Sequence, residues 1–213
     1  GQTYLGTPVY DIPGCEDGHY RSVILTRISD NSTSLDQFAD KNIGINQMHS
    51  HSGCNILAFM LARQNQTFDT AAFHHTGSHL NSVKQLVDGQ IDLAAIDCVS
   101  WHWIQKDFPD LAEKLHVLEW SPALPAPPFV MSANLPDSFQ NNFREAFLQA
   151  FDEDDVIQTA SQLKLKDITQ FSPEDYEVFS KIKEQAYPVL KLIEAPQDKT
   201  APASSDPAPD GPS

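Results

Sequence analysis

Residues 75–97 read HTGSHLNSVKQLVDGQIDLAAID, and this stretch decides the fold class of the chain. Residues 78–88 place apolar side chains at a helical period, and Gly89 follows where the C-cap of a helix is expected. Residues 91–96 (IDLAAI) are almost continuously apolar, which is typical of a strand buried on both faces of a sheet. A helix that leads into such a strand predicts a β-α-β unit and therefore an α/β fold.

The alternation of strand and helix continues on both sides of this unit. We predict further strands at residues 20–27, 42–46, 68–74, 116–120 and 129–133. We predict further helices at residues 34–40, 53–64, 101–108, 136–151, 153–164 and 173–192. Since consecutive parallel strands are joined by right-handed helical crossovers, this order favours mostly parallel sheets with helices on both faces. Residues 195–213 are rich in Pro, Ser, Ala and Asp without apolar periodicity, which predicts a disordered tail.

Charge and composition exclude several functions. The 213 residues carry a formal net charge of -15, and nucleic-acid binding needs stripes of Lys and Arg that this chain lacks. No apolar run approaches the roughly 20 residues that span a bilayer. An acidic protein offers an anion no long-range attraction, so any anion site here must work through local hydrogen-bond donors.

The three cysteines, Cys15, Cys54 and Cys98, form no CxxC motif. An odd count allows at most one disulfide within the chain. Because Cys54 and Cys98 both have apolar neighbours in the sequence, we interpret them as buried, unreactive thiols rather than as a redox pair.

A polar cluster follows the strand at residues 42–46 and runs directly into a helix. It contains Ser50, His51, Ser52 and Gly53. A helix N-terminus offers unpaired N–H groups and the positive end of a dipole, the hydroxyls add small donors, and glycine allows close approach of the backbone. The cluster therefore predicts an oxyanion site, although Ser50 or Ser52 alone could simply cap the helix.

Two further strand ends carry polar residues. Thr76, Ser78 and His79 follow the strand at 68–74, and Asp97 follows the strand at 91–96. Ligands of open parallel sheets bind beyond the carboxyl ends of the strands, so these residues are expected near the first cluster. Asp97 would repel a fully ionised anion but could accept a hydrogen bond from a protonated oxyanion or an amino group. Its alternative role is to cap the next helix.

The histidines allow a metal hypothesis. His49, His51, His74, His75 and His79 could bring three nitrogens to a zinc ion if their loops converge. The spacing is unspecific, and no HExxH or Cys/His ladder is present. The GxSxG, GxxxxGK[ST] and GxGxxG motifs are also absent, so we expect neither an enzyme nor a bound cofactor or metal.

Four stretches together resemble one family. They are TPVYDIPGCEDGHYRSVILTR (7–27), SLDQFADKNIGINQMHSHSG (34–53), HTGSHLNSVKQLVDGQIDLAAID (75–97) and FVMSANLPDSFQNNFREAF (129–147). Their order is similar to that of the phosphate-, phosphite- and phosphonate-binding components of ABC transporters, which have the type II periplasmic-binding-protein fold. The second stretch ends in a Ser-His-Ser-Gly version of the phosphate loop of that family.

The resemblance implies a ligand site and a partner. Ser50 to Gly53 would hold the phosphoryl group, with His79 and Asp97 beside it. Tyr10, or alternatively Tyr20, would close over the ligand. A monomer that delivers a small phosphorus oxyanion to a membrane permease is implied, in a periplasmic or membrane-associated extracytoplasmic location.

The resemblance also implies a two-lobed organisation. Residues 30–121 would form the lobe that carries the ligand loops, and residues 1–29 and 122–194 would form the other lobe and the crossings. That other lobe is expected to be incomplete, because the family has a β-α-β unit ahead of TPVYD. Two alternatives stay open, namely a ligand-sensing module of the same fold and a zinc-binding protein or metalloenzyme.

Overall fold

The computed structural model describes residues 1–64 and 66–195, and the strands within them form three sheets. The strands are β1 (Gln2–Tyr10), β2 (His19–Tyr20), β3 (Ser22–Arg27), β4 (Ile43–Ile45), β5 (Phe73–His75), β6 (Leu93–Asp97), β7 (Leu115–Trp120), β8 (Leu124–Pro125), β9 (Phe129–Ser132) and β10 (Leu165–Thr169). The α-helices are α1 (Ile56–Ala62), α2 (His79–Val87), α3 (Cys98–Asp107), α4 (Pro109–Ala112), α5 (Asp137–Ala150), α6 (Asp154–Gln162) and α7 (Val178–Glu194). Short 3-10 helices cover Ile28–Asp30, Leu35–Phe38, Thr70–Ala72 and Pro173–Glu177, and a π-helical turn covers His51–Asn55.

The largest sheet has five strands in the order β5-β4-β6-β3-β7. Strand β4 pairs in parallel with β5 and β6, whereas β3 pairs antiparallel with β6 and β7. Strands β4 to β7 therefore all run in one direction, and β3 alone is reversed. Helices connect β4, β5, β6 and β7 in sequence, which explains their common direction. Strand β3 begins at the end of the sheet where these four strands finish. Its first residue, Ser22, pairs with Asp97 at the carboxyl end of β6.

The second sheet has three strands in the order β10-β1-β9, and both pairings are antiparallel. The prediction of mostly parallel sheets is therefore correct for the helix-connected strands only. Strands β1 and β10 were not predicted. Gly6 and Pro8 interrupt the apolar pattern of β1, and β10 is a polar edge strand without buried residues. The side chain of Thr3 in β1 donates to Gln140 of α5 at 2.6 Å, which places α5 against this sheet.

The main core lies between one face of the five-stranded sheet and two helices. Helix α1 (ILAFMLA) is apolar on all sides, and six of its seven residues are buried. It can be buried all round because the sheet covers one side and α7 covers the other. Full burial of each large apolar side chain contributes about 1.5–3 kcal/mol, so this sandwich holds the loop ahead of α1 in place.

The opposite face of the sheet is covered by α2 and α3. Val83 and Leu86 of α2 and Trp101 and Ile104 of α3 form a second buried cluster with the sheet. Helices on both faces of the sheet are thus confirmed. The predicted helix at 101–108 begins earlier, at Cys98, because Asp97 caps it.

The C-terminal part differs from the prediction in its details. The predicted helix at 153–164 ends at Gln162, after which Lys164 adopts a left-handed φ of 62° and the chain turns into β10. The predicted helix at 173–192 begins as a 3-10 helix and continues as α7 to Glu194. The predicted tail, apart from Ala195, lies outside the described residues. Within the described ranges, no helix has the length and apolar character to cross a membrane.

Candidate functional site

The loop after β4 ends in a capped helix start. The Ser50 hydroxyl accepts a hydrogen bond from the Gly53 N–H at 3.1 Å, and the π-helical turn that follows continues into α1. The first N–H groups of such a continuous helical segment have no partner within the helix and point outwards, with the positive end of the helix dipole behind them. The predicted helix N-terminus is therefore present.

Three strand ends bring their polar side chains together. The Ser52 hydroxyl lies 3.2 Å from Nε2 of His79, and the same Nε2 lies 3.1 Å from Oδ2 of Asp97. Ser52 comes from the π-helical turn after β4, His79 opens α2 after β5, and Asp97 ends β6. The side chains of His79 and Asp97 are only 15% and 18% exposed, so this cluster is mostly shielded from water.

Asp97 has two roles in this cluster. Its Oδ1 accepts the N–H of Ser100 at 2.8 Å and its Oδ2 accepts the Ser100 hydroxyl at 2.7 Å, so it caps α3 as well as contacting His79. Burial raises the pKa of Asp97, but the hydrogen bond and charge of His79 and the donors of Ser100 outweigh burial and lower this pKa below its ordinary value. Asp97 is therefore an ionised acceptor at neutral pH.

A cavity of about 220 Å³ adjoins the cluster. Its lining residues are Tyr10, Tyr20, Ser52, Asp97, Val99, Ala126 and Pro127. Burial raises the pKa values of both tyrosines above the ordinary value, so both hydroxyls stay protonated and can donate hydrogen bonds. Tyr20 is buried and Tyr10 is half-buried. Both tyrosines considered from the sequence thus face the same cavity.

Two residues outside the predicted site, Asn46 and Ser22, hold the cluster in position. Asn46 accepts the Gln47 N–H at 2.8 Å through Oδ1, and its Nδ2 lies 3.4 Å from Nε2 of His79. The Ser22 hydroxyl donates to the carbonyl oxygen of Ser52 at 2.9 Å. Asn46 is a polar residue directly after a buried strand, and this position could have singled it out.

The comparison with protein families decides the family of the chain. Residues 8–176 match the family described as the periplasmic phosphonate substrate-binding protein of ABC transporters. The chain belongs to this family. It is the solute-binding component of an ABC-type importer, a role that implies an extracytoplasmic location and a permease partner. A search of curated proteins finds no match.

Several solved structures share the fold of this phosphonate-binding family member. A binding-protein component of an ABC phosphonate transporter from Pseudomonas aeruginosa is 19% identical, with a TM-score of 0.71 over 91% of this chain and 70% of that chain. PhnD1 from Prochlorococcus marinus, solved with methylphosphonate, is 14% identical, with a TM-score of 0.69 over 86% and 72%. A Xanthomonas citri protein, solved with ATP, is 15% identical, with a TM-score of 0.68 over 91% and 74%. At these identities the likeness shows the type II periplasmic-binding-protein fold.

Not every predicted site residue of this family member joins the cluster. The ring of His51 packs edge-on against Phe179 of α7, with centroids 4.5 Å apart, and its buried Nε2 has no partner among the described residues. Burial lowers the pKa of His51 to about 4, so the ring is neutral. The Thr76 hydroxyl is buried against the Ser82 hydroxyl at 2.6 Å. The Ser78 hydroxyl caps α2 by accepting the Asn81 N–H at 3.1 Å.

Gly53 has a packing role. A Cβ on this residue would lie 2.2 Å from Oδ1 of Asn46, so a side chain here would displace the amide that lies beside His79. Glycine was predicted here because a ligand approaches the backbone, but the structure supplies a different physical reason, namely space for Asn46.

The zinc alternative receives no support from the geometry. Within residues 1–64 and 66–195, no group of three or more His, Cys, Asp or Glu side chains could hold a metal ion. His74 lies elsewhere on the sheet, where its Nε2 is 2.9 Å from Oδ1 of Asn42.

Proposed function

We propose that the chain captures a small phosphorus oxyanion, namely phosphate, phosphite or a phosphonate, in the cavity beside Ser52, His79 and Asp97. The convergence of these three side chains, from three separate strand ends, on one shielded point is the observation that carries the proposal. Family membership supplies the transport role, and the bound ligand would be delivered to a membrane permease.

The donors at this point suit an oxyanion. We propose that the Ser52, Tyr10 and Tyr20 hydroxyls and the N–H groups at the start of the π-helical turn surround the phosphoryl oxygens. His79 would lie beside them, and its Nε2 would hold Ser52 and Asp97 in position. A hydrogen bond to a charged group contributes about 1.5–3 kcal/mol, so such local bonds would supply the affinity that the net charge of -15 does not. Ser50, Thr76 and Ser78 would shape the loops, and His51 would contribute its backbone N–H only.

Asp97 would set the protonation state of the ligand. An ionised carboxylate repels a phosphoryl oxygen unless a proton lies between them. A monoprotonated phosphonate or phosphate supplies this proton, and an aminoalkylphosphonate could offer its ammonium group instead. Sulfate carries no proton near neutral pH, so Asp97 would select against it.

The same three side chains would bind the ligand without catalysing its hydrolysis. In a Ser-His-Asp triad the serine contacts one ring nitrogen and the aspartate contacts the other. Here Ser52 and Asp97 both approach Nε2 of His79, while Nδ1 is buried without a partner among the described residues. Asp97 therefore does not orient the ring through Nδ1 as the aspartate of a triad does, which supports a binding role for Ser52.

We further propose that residues 30–121 form one lobe and residues 1–29 and 122–194 form the other, with the ligand between them. The presence of a five-stranded and a three-stranded sheet supports two units. Two elements cross the proposed bounds, because β3 lies within the five-stranded sheet and α7 packs against α1 in the core of that sheet. The protein would act as a monomer in the periplasm or attached to the outer face of the membrane, without a nucleic-acid partner.

Calorimetric titration of the chain with methylphosphonate, phosphite, phosphate and sulfate tests the proposal. We expect saturable binding of at least one phosphorus oxyanion and at least about 10-fold weaker binding of sulfate. If all four ligands give no binding, or if sulfate binds best, the proposed specificity is wrong.

A further inference from the structure

Two cysteines that are far apart in the sequence meet at the rim of the candidate site. The Sγ atoms of Cys15 and Cys98 lie 3.2 Å apart, and both are thiols in this structure. Cys98 is buried and packs with Tyr20 and Ala126, which both line the candidate ligand cavity. Cys15 packs against this cluster. Since a disulfide needs an S–S distance of about 2.05 Å, a movement of roughly 1 Å would join them.

The loop that carries Cys15 is held against this position. Gly14 adopts a φ of +90°, and a Cβ there would lie 2.3 Å from the ring of Trp120 and 3.1 Å from Cβ of Cys98. The N–H of Cys15 donates to the carbonyl oxygen of Ile12 at 3.0 Å, which closes a tight turn. The close packing and the turn together keep the Cys15 thiol beside Cys98.

The ends of the same loop contact the three-stranded sheet. The Asp11 N–H donates to the carbonyl oxygen of Lys164 at 2.8 Å, next to β10, and Gly18 packs against Thr169 of β10. The middle of the loop contacts Trp120 of β7 and Cys98 of α3, which belong to the five-stranded sheet and its helices. A bond between Cys15 and Cys98 would therefore cross-link the two sheets directly beside Asp97.

The chemical environment makes Cys98 the more acidic thiol. It is the first residue of the ten-residue helix α3, whose N-terminal N–H groups favour a thiolate. The hydrogen bond between the two thiols lowers the pKa of Cys98 and, together with burial, raises the pKa of Cys15. Because Cys98 is buried and Cys15 is partly exposed, an incoming disulfide reaches Cys15 first, and Cys98 is suited to attack second.

We propose that Cys15 and Cys98 form a reversible disulfide that ties the two sheets together and slows the exchange of ligand at the site beside Asp97. The slower exchange of ligand rests on the proposed function, while the formation of the disulfide does not.

The oxidant is a small-molecule disulfide such as oxidised glutathione. The Cys15 thiol loses its proton and attacks one sulfur of the oxidised glutathione, an S–S bond forms, and one glutathione thiolate leaves. The Cys98 thiolate then attacks Sγ of Cys15, which releases the second glutathione. The two protein thiols lose two electrons and two protons in total, and the small disulfide is reduced to two thiols.

The first test counts thiols on the intact chain after equilibration in glutathione buffers from reducing to oxidising, with maleimide labelling and mass spectrometry. We expect the wild-type protein, labelled after unfolding, to have lost two of its three thiols and to yield a peptide pair linked through Cys15 and Cys98. The matched control Cys54→Ser should behave in the same way, because Cys54 is buried elsewhere in the main core. Cys15→Ser and Cys98→Ser should form no internal disulfide. Retention of all three thiols in the wild type at the most oxidising poise would overturn the proposal.

The second test measures methylphosphonate exchange by stopped-flow in the oxidised and reduced protein. We expect dissociation to be at least 10-fold slower in the oxidised form, and no such difference for Cys15→Ser. Equal dissociation rates in a fully oxidised sample would overturn the role in exchange. If no phosphorus oxyanion binds in either redox state while the disulfide forms, the proposed function and the role in exchange are both wrong, and the disulfide stands.

Discussion

Nε2 of His79 lies 3.1 Å from Oδ2 of Asp97, so the first residue of one helix contacts the capping residue of the next. The same nitrogen lies 3.2 Å from the Ser52 hydroxyl. A single ring atom therefore links all three strand ends, and substitutions of its neighbours should separate ligand binding from structural support.

Replacement of Ser52 by alanine removes a donor that faces the cavity. We expect Ser52→Ala to weaken methylphosphonate binding about 10-fold or more, because one charge-assisted hydrogen bond contributes about 1.5–3 kcal/mol. Ser78→Ala is the matched control. It removes the cap of α2 and should cost about 1 kcal/mol of stability with less than about 3-fold effect on affinity. Calorimetry and urea unfolding measure both quantities, and equal affinity losses in the two variants would argue against a special role for Ser52.

Replacement of Asp97 by asparagine tests the buried carboxylate. Since the folded-state pKa of Asp97 is lowered, its stabilisation is present above the unfolded carboxyl pKa of 3.8 and is lost as the pH falls through the folded-state pKa. We expect Asp97→Asn to lower the free energy of unfolding at pH 7 by about 1–3 kcal/mol, and by much less near pH 3. The exposed control Asp40→Asn should change little at either pH. Urea unfolding at the two pH values checks this, and a loss that does not depend on pH would contradict it.

A methyl group at residue 53 should disturb the site by displacing Asn46. Gly53→Ala would place a Cβ 2.2 Å from Oδ1 of Asn46, so we expect losses of both stability and methylphosphonate affinity. Gly89→Ala is the comparison, because nothing in the described part of the chain, beyond the local backbone, lies within 4 Å of the added Cβ, while the φ of Gly89 is +73°. It should cost about 1–2 kcal/mol of stability through backbone strain and leave the affinity unchanged. Unchanged affinity in Gly53→Ala would show that Asn46 does not position His79.

His51 should control stability between pH 4 and pH 6.5. Its folded-state pKa is lowered from 6.5 to about 4, so the unfolded chain binds a proton in this range that the folded chain does not. The stability of the wild type should therefore fall as the pH decreases through this window. His51→Phe should flatten this dependence and keep the ring contact with Phe179. Thermal unfolding across this pH range checks the prediction. A 10-fold loss of methylphosphonate affinity in the variant would show that the His51 side chain contributes to ligand binding.

The elements that could be predicted from the sequence are those specified by local patterns. The helical period of residues 78–88, Gly89 and the apolar run before Asp97 act over a few residues, and α2 and β6 follow them closely. The meeting of Ser52, His79 and Asp97 followed from one further rule, namely that the carboxyl ends of codirectional strands share an edge.

The features that escaped prediction depend on distant contacts. Strand β1 is specified by its two antiparallel partners and not by its own pattern, which Gly6 and Pro8 interrupt. The ring of His51 turns towards Phe179, which is more than a hundred residues away in the chain. Asn46 and the Cys15–Cys98 contact likewise depend on packing between segments that no local spacing connects.

The position of a bound ligand tests the central claim most directly. A crystal structure of the chain with methylphosphonate should place the phosphorus beside the π-helical turn and His79. Its oxygens should lie within hydrogen-bond distance of the Ser52 hydroxyl and of the Tyr10 or Tyr20 hydroxyl, with one protonated oxygen facing Asp97. Methylphosphonate bound at any other place, with the cavity beside these three residues filled by water alone, would contradict the account.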